Sequence, residues 1–271
     1  MAGDYTARDR GLSVWGLPIA CLLGAAGLVW IDGPLSRGLR WMGGQLGGDI
    51  RRELETLQQY GAIGSVVIIA IVISVMDPGK RARLWDWLLA MLATAVVVLP
   101  MKMLVGRPRP KFDDPFVFLG PIGTYTVDAE KGPKHAWEVW GGISSDLWSM
   151  PSSHTAYAVV LSVFLAVTYP KLRGLAWAMM GIVGACRVLF GAHYPSDVLV
   201  GAAVAWAVSV PIVQGGLGRK WIGARVMDRF GEPGEGWARG VGSDAGGVGS
   251  DVGVSGEAGL GGGAGSNRAG G

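Results

Sequence analysis

The sequence predicts an all-α fold, a six-span transmembrane helical bundle, and three observations carry this prediction. Half of the 271 residues are hydrophobic and only 17% are charged, whereas soluble globular domains carry about 25% charged residues. The mean hydropathy is +0.36. The apolar residues form six runs, each long enough, or nearly so, to cross a hydrocarbon core that needs about 20 residues. These runs cover residues 12–31, 60–76, 84–101, 154–169, 174–190 and 198–213.

The first run follows Arg8 and Arg10 and resembles a signal peptide in outline. It is long, has no clear small-residue cleavage site and is followed by further apolar runs, so we interpret it as a retained signal-anchor helix. After it, residues 49–57 have an amphipathic pattern that predicts a short helix on the membrane surface. The second and sixth runs are short and would draw on flanking residues or thin the bilayer locally.

Six spans would place both termini on one side of the membrane. Basic residues lie in the tight loops after the second and fourth runs, before the first run and after the sixth, and they indicate that this side is cytoplasmic. The opposite face carries a similar number of basic residues, and six of them lie within residues 102–134. A count of charges alone therefore does not decide the orientation.

The remaining composition limits the domain organisation and the partners. The 24 basic and 21 acidic residues give a net charge of +3, too balanced to suggest nucleic acid as a partner. Both cysteines lie in apolar runs, which argues against a disulfide framework. We predict one membrane domain over residues 1–230. The glycine-, serine- and alanine-rich residues 231–271 cannot bury a core and are predicted to form a disordered cytoplasmic tail.

Residues with the chemistry of a catalytic site are grouped at three predicted span ends on the outer face. Two of the three histidines, His154 and His193, each open a span there. The third, His135, has no such context and is interpreted as an ordinary loop residue. A single cation at a span end can be explained by snorkelling towards the lipid headgroups, so the prediction rests on the joint pattern. The other members of the group are Lys102, Arg109, Ser152, Ser153, Arg187 and Asp197.

The spacing within these groups suggests how they could handle an anionic substrate. Pro195 suits the first turn of a helix, which places Asp197 one turn on, close enough to accept a hydrogen bond from a ring nitrogen of His193. A carboxylate there fixes the tautomer and stabilises the imidazolium that forms when the other nitrogen attacks an electrophile. Arg187 supplies a planar fork matched to phosphate oxygens. The helix that begins near Ser152 offers free N–H groups and a positive dipole end to an anion.

These motifs resemble the signature of the type 2 phosphatidic acid phosphatase superfamily, in its integral membrane branch. That superfamily includes lipid phosphate phosphatases and vanadium haloperoxidases, and its signature is Lys-x6-Arg-Pro, Pro-Ser-Gly-His and Ser-Arg-x5-His-x3-Asp. Here the motifs are Lys102 to Arg109-Pro110, Pro151-Ser152-Ser153-His154, and Cys186-Arg187 to His193 and Asp197. Ser153 replaces a glycine but keeps the backbone N–H. Cys186 replaces a serine and donates a weaker hydrogen bond. Activity is still expected.

The resemblance implies a hydrolase that works through a phosphohistidine intermediate without a metal or other cofactor. His193 would be the nucleophile, Asp197 would hold its other ring nitrogen, and His154 would act as general acid and then as general base. The phosphate would be bound by Lys102, Arg109, Ser152, Ser153 and Arg187. The acidic residues near the motifs form no ligand-like cluster, and the adjacent Asp113 and Asp114 are interpreted as solvated.

The expected site at the extracytoplasmic membrane interface suits a substrate whose phosphate lies at headgroup depth. Phosphatidic acid, phosphatidylglycerol phosphate, undecaprenyl pyrophosphate and a lipid A phosphate are candidates. The expected partners are this membrane lipid substrate and the bilayer, and the oligomeric state is not indicated. The expected location is the bacterial inner (plasma) membrane, with the site facing the periplasm or exterior.

Two alternatives of other classes remain open. One is a lipid phosphotransferase that passes the phosphoryl group from His193 to an acceptor other than water. The other is a non-catalytic membrane protein that binds lipid phosphates, which would need the cations but not His154, His193 and Asp197 together. A haloperoxidase is disfavoured, because those family members are soluble and much longer around the motifs.

Overall fold

The computed structural model describes residues 12–142 and 144–223, and over this part of the chain it is helical and without β-strands. This confirms the all-α prediction for the described residues. The α-helices are α1 (Gly16–Leu28), α2 (Asp32–Gly44), α3 (Gly48–Leu57), α4 (Ile63–Met76), α5 (Arg83–Val105), α6 (Ser153–Thr168), α7 (Arg173–Leu189) and α8 (Pro195–Gly215). The tail predicted at 231–271 lies outside the described residues, as do Arg8 and Arg10.

Each of the six predicted apolar runs contains one helix, but the number of six spans is not confirmed. By length and composition, the described residues include four candidate spans, and a fifth if one bent pair of helices counts as a single span. The bent pair, Gly48–Gly61 with Ile63–Met76, turns by 63°. The candidate spans are Gly16–Gly44, Arg83–Phe112, Pro170–Leu189 and Pro195–Gly215. These long apolar helices are consistent with an integral membrane protein.

The segment between the first two apolar runs is more helical than the sequence predicted. The amphipathic helix expected at residues 49–57 is present as α3. The sequence did not predict α2, which continues from α1 through a short 3-10 turn at Val29–Ile31. The first residue of α2 is Asp32, and its side chain is buried.

Helix α6 lies at the centre of the bundle, in contact with α5, α7 and α8. It is apolar on all sides, as expected for a helix surrounded by protein, and Val159, Leu161 and Phe164 are fully buried. Phe164 stacks on Trp87 of α5 with ring centroids 5.0 Å apart. At about 24 Å, α6 is shorter than a hydrocarbon core of about 30 Å. Because neighbouring helices cover it, its length is not set by the bilayer alone.

Candidate active site

The three motifs come together at one end of the bundle. They lie at the end of α5, the start of α6, the end of α7 and the start of α8, which are neighbouring helices. The N–H of Ser152 donates to the carbonyl of Asp197 at 3.1 Å, which joins the second motif to the third. Arg109 Nη1 donates to the carbonyl of Ala192 at 3.4 Å, which joins the first motif to the third.

Residues 145–152, hereafter the 145–152 segment, connect the motifs through backbone carbonyl groups. Arg109 Nε donates to the carbonyl of Ser145 at 2.7 Å, and the Arg109 N–H to that of Asp146 at 2.9 Å. Lys102 Nζ donates to the carbonyl of Trp148 at 2.7 Å. The segment therefore holds the two cations of the first motif, and it ends at Ser152 in the second.

His193 is buried, with 2% of its surface exposed, and its Nδ1 lies 2.6 Å from the carbonyl oxygen of Ser149. A carbonyl oxygen can only accept, so Nδ1 carries the proton and Nε2 keeps its lone pair in the neutral ring. Burial lowers the pKa of His193 to about 4, and the charges of Lys102 and Arg187 also lower it, while Asp197 opposes them. The ring is therefore neutral at neutral pH and able to act as a nucleophile.

The direct hydrogen bond that the sequence predicted between Asp197 and His193 is not made. Asp197 Oδ2 lies 3.8 Å from His193 Nδ1. It accepts instead from the Tyr194 N–H at 2.8 Å and from Ser149 Oγ at 2.5 Å, while Oδ1 accepts from Arg107 Nη1 at 2.6 Å. The physical reason is capping, because an acidic residue at the third position of a helix reaches back to the N-cap N–H. Asp197 thus acts on the ring through its charge and through Ser149.

The cations keep donors that could bind an anion. Lys102 is buried, and Arg109 and Arg187 are half-buried. Arg187 Nη1 donates to Gln58 Oε1 at 3.0 Å. Its Nε is buried and finds no hydrogen-bond acceptor within the described residues. An unpaired buried N–H is costly, so a phosphate oxygen would satisfy this donor.

The second motif begins α6. Ser152 is the fully buried N-cap residue, and Ser153 and His154 are the first two residues of the helix, both half-buried. The first-turn N–H groups have no acceptor within a helix and suit an anion. Gly201 of α8 makes room for this arrangement, because a Cβ there would lie 2.6 Å from the Ser152 carbonyl oxygen.

An apolar cleft of about 610 Å³ reaches the site at Ser153 and His154. A second apolar cleft of about 510 Å³ lies along α4 and α5 and shares Met91 with the first. The walls of the first cleft are formed by the starts of α4 and α6 and the middle of α5. The other lining residues of the first cleft are Gly61, Ala62, Ile63, Gly64, Leu92, Ala95 and Tyr157.

Sequence reasoning missed two residues that contact the site, Ser149 and Gln58. Gln58 lies in a 3-10 turn and is brought close by Gly61, where a Cβ would lie 2.5 Å from the Ala158 nitrogen. Neither residue belongs to a motif, and an isolated polar residue between apolar runs carries no signal of its own. His135 fits its interpretation as a loop residue, with Nδ1 2.9 Å from the Gly123 carbonyl oxygen.

The two adjacent aspartates of the loop contact other side chains. Asp113 makes a partly exposed ion pair with Arg37 at 3.0 Å, and Asp114 accepts from Tyr125. Over the part of the chain that the structure describes, no group of three histidine, cysteine or acidic residues is placed to hold a metal ion.

Comparison with known families agrees with the geometry. A family model described as the PAP2 superfamily matches residues 83–221, just over half of the chain. No curated protein and no solved structure matches the chain. The matched range begins at α5 and includes all three motifs. The chain therefore belongs to the PAP2 superfamily, the type 2 phosphatidic acid phosphatases, and is in general terms a phosphoester hydrolase.

Proposed function

We propose that the protein is an integral membrane phosphatase of lipid phosphates or lipid pyrophosphates, metal-independent and working through a phosphohistidine on His193. The observation that carries the proposal is the hydrogen bond from His193 Nδ1 to the Ser149 carbonyl oxygen. It leaves the lone pair on Nε2, in a ring whose pKa is held low by burial.

In the first step, His193 Nε2 attacks phosphorus, the N–P bond forms and the bond from phosphorus to the leaving oxygen breaks. The electron pair passes to the leaving oxygen, which His154, entering the step as the imidazolium, protonates as general acid. The phosphorylated ring carries a positive charge that the Ser149 carbonyl and the Asp197 carboxylate stabilise. Lys102, Arg109 and Arg187 bind the non-bridging oxygens, together with Ser152 and the Ser153 N–H, and offset their charge in the transition state.

In the second step, His154 is neutral and removes a proton from a water molecule, whose oxygen attacks phosphorus. The N–P bond breaks, its electron pair returns to Nε2, and inorganic phosphate leaves. The three cations supply the positive charge that a magnesium ion supplies in other phosphoryl transfer enzymes. No step in this scheme requires a metal.

The apolar cleft supports a lipid as the substrate. Ser153 and His154 belong to the second motif and line the cleft together with the apolar side chains of Met91, Leu92 and Ala95 on α5. A phosphate bound by the cations would leave an attached acyl or prenyl chain next to this apolar wall. The candidates are phosphatidic acid, phosphatidylglycerol phosphate, undecaprenyl pyrophosphate and a lipid A phosphate. We further propose a bacterial inner (plasma) membrane location, with both termini cytoplasmic and the site facing the periplasm or exterior.

The decisive experiment measures phosphate release by the detergent-purified protein from a panel of these lipids. It is run in EDTA, with and without vanadate, beside His193→Ala. Release that survives EDTA, falls with vanadate and disappears in the variant is the expected result. Transfer of the phosphoryl group to an added alcohol in preference to water would favour a phosphotransferase. Binding of the lipids without any release would favour the non-catalytic alternative.

A further inference from the structure

We propose that Asp32, the first residue of α2, is a positioning residue of the active site that acts on His193 through Arg107 and Asp197. Asp32 lies outside the family-matched residues 83–221 and belongs to none of the three motifs. The inference rests on the proposed function, because it takes His193 as the nucleophile.

Arg107 uses all of its donors inside the protein. A guanidinium has five N–H groups, and the fully buried Arg107 makes five hydrogen bonds. Nη1 donates to Asp197 Oδ1 at 2.6 Å and to Ser196 Oγ at 2.8 Å. Nη2 donates to Asp32 Oδ2 at 2.8 Å, and Nη2 and Nε both donate to the Pro115 carbonyl. Unlike Arg187, whose Nε is unpaired, Arg107 has no donor left for a substrate.

Asp32 attaches α2 to the first turn of α8. Its side chain is fully buried. Oδ1 accepts from the Ser196 N–H at 3.1 Å, and Oδ2 accepts from the Ser196 hydroxyl as well as from Arg107. Ser196 immediately precedes Asp197. The carboxylate of Asp32 therefore fixes both the backbone next to Asp197 and the guanidinium that binds it.

A continuous chain of buried contacts connects Asp32 with the nucleophile. Arg107 joins Asp32 to Asp197, Asp197 accepts from the Ser149 hydroxyl, and the Ser149 carbonyl accepts from His193 Nδ1. Two carboxylates and one guanidinium give this group a formal charge of −1. That charge is present in the ground state, and its interaction with the ring becomes more favourable when the phosphorylated ring acquires a positive charge. Loss of the Asp32 charge should therefore slow the chemical step more than it weakens substrate binding.

The test introduces Asp32→Asn into the full-length protein. It measures kcat and KM separately, with phosphatidic acid in detergent micelles as the substrate. The amide is nearly isosteric but neutral, and its NH2 group must face either the Ser196 N–H or the Arg107 N–H. We expect kcat to fall about tenfold or more, as for loss of a hydrogen bond to a charged group, while KM stays within about twofold. Assays are run well below the Tm of the variant.

Asp113→Asn is the matched control. Asp113 pairs with Arg37 of α2 at 3.0 Å, but both side chains are about half exposed and neither reaches the site. Asp113 has a φ of 59°, a conformation that asparagine also tolerates. This variant removes the same charge from a different aspartate–arginine pair that also involves α2, and we expect kcat and KM to stay at the wild-type values.

An unchanged kcat for Asp32→Asn, with or without a lower Tm, would show that the contact only supports the fold and would overturn the inference. A higher KM at unchanged kcat would overturn it too.

If Asp32→Asn does not fold, the Ser196→Ala variant tests the inference instead, because it removes the hydroxyl that bonds both Asp32 and Arg107. A lower kcat at constant KM supports the inference, and wild-type kinetics refute it. A wild-type protein that releases no phosphate would instead refute the proposed function on which the inference depends.

Discussion

At the scale of single residues, the hydrogen-bond partner of His193 Nδ1 determines which ring nitrogen keeps its lone pair, and in the proposed mechanism that nitrogen attacks phosphorus. A backbone carbonyl cannot donate a hydrogen bond, so the Ser149 carbonyl fixes the tautomer of the neutral ring. Asp197 is left to bind Arg107 and Ser149 and to cap α8. The orientation of the ring and the supply of negative charge are thus divided between two groups.

The low pKa of His193 gives a direct test. Since burial lowers this pKa to about 4, the ring should stay neutral as the pH falls through 6.5, its ordinary value, and become protonated only near pH 4. The histidine ring signals in NMR spectra of isotope-labelled protein report this, with His193→Gln used to assign the signal. Protonation of His193 near pH 6.5 would contradict the buried, carbonyl-bound ring.

The contact between Gln58 and Arg187 provides a second test at this scale. Gln58→Leu keeps an apolar stem but removes the oxygen that orients the guanidinium. We expect the inhibition constant of vanadate and the KM to rise about tenfold, since a hydrogen bond to a charged group contributes about 1.5–3 kcal/mol. Gln59→Leu, at the exposed neighbouring position, is the control and should leave both unchanged. Equal effects of the two substitutions would assign the loss to general destabilisation.

The sequence predicted which residues would meet at the site but not their hydrogen-bond partners within the protein. Lys102, Arg109 and His193 were identified by type and spacing, and the structure brings them to one end of the bundle. Their immediate partners are backbone carbonyls, which every residue has and which no side-chain pattern reveals. The direct bond from Asp197 to His193 was wrongly expected, because helix capping competes for the same carboxylate.

At the scale of helices, hydropathy located the apolar helices but did not distinguish helices that face lipid from helices that are surrounded by protein. Each apolar run contains a helix, yet α6 is 16 residues long and lies among other helices. Leucine and valine side chains are equally suited to both environments, so an apolar run does not by itself indicate a full span. Helix α2 was missed because its glycines and its polar residues give it a composition typical of a loop.

The contact between α8 and the start of α6 can be tested by a substitution that adds one methyl group. Gly201→Ala would place a Cβ 2.6 Å from the Ser152 carbonyl oxygen. Overpacking of this kind costs about 1–3 kcal/mol, so we expect a lower Tm and a lower kcat, measured by thermal unfolding and phosphate release. Gly181→Ala on α7 is the control, because a Cβ there meets nothing within 4 Å. A Gly201→Ala protein with wild-type Tm and kcat would refute the tight contact.

At the scale of the whole molecule, the cationic end of the bundle and the apolar cleft adjoin at Ser153 and His154. The cations come from α5, α7 and the loop after α5, whereas the cleft is formed by α4, α5 and α6. Helix α5 contributes to both regions. The phosphate and the chain of the proposed lipid substrate would therefore both contact this one helix.

Narrowing the cleft should separate long substrates from short ones. Ala95→Trp would fill part of the cleft that Ala95 lines, and we expect kcat/KM to fall about tenfold for long-chain phosphatidic acid but less than twofold for a short-chain one, as when a hydrophobic pocket rejects methylene groups. Val96→Trp, at a neighbouring position that is 72% exposed, is the control. An equal loss of kcat/KM for both chain lengths would show that the cleft does not recognise the substrate chain.

The attachment of the 145–152 segment through its carbonyl groups has a consequence for how the site responds to mutation. Arg109 and Lys102 donate hydrogen bonds to the backbone carbonyl groups of Ser145, Asp146 and Trp148. Most side-chain replacements at these three positions would therefore preserve the contacts. A one-residue insertion or deletion would instead shift every acceptor relative to its donor. A saturation scan should therefore find positions 145, 146 and 148 permissive to substitution, whereas a change in length anywhere in the segment should not be tolerated, the reverse of the behaviour of an ordinary surface loop.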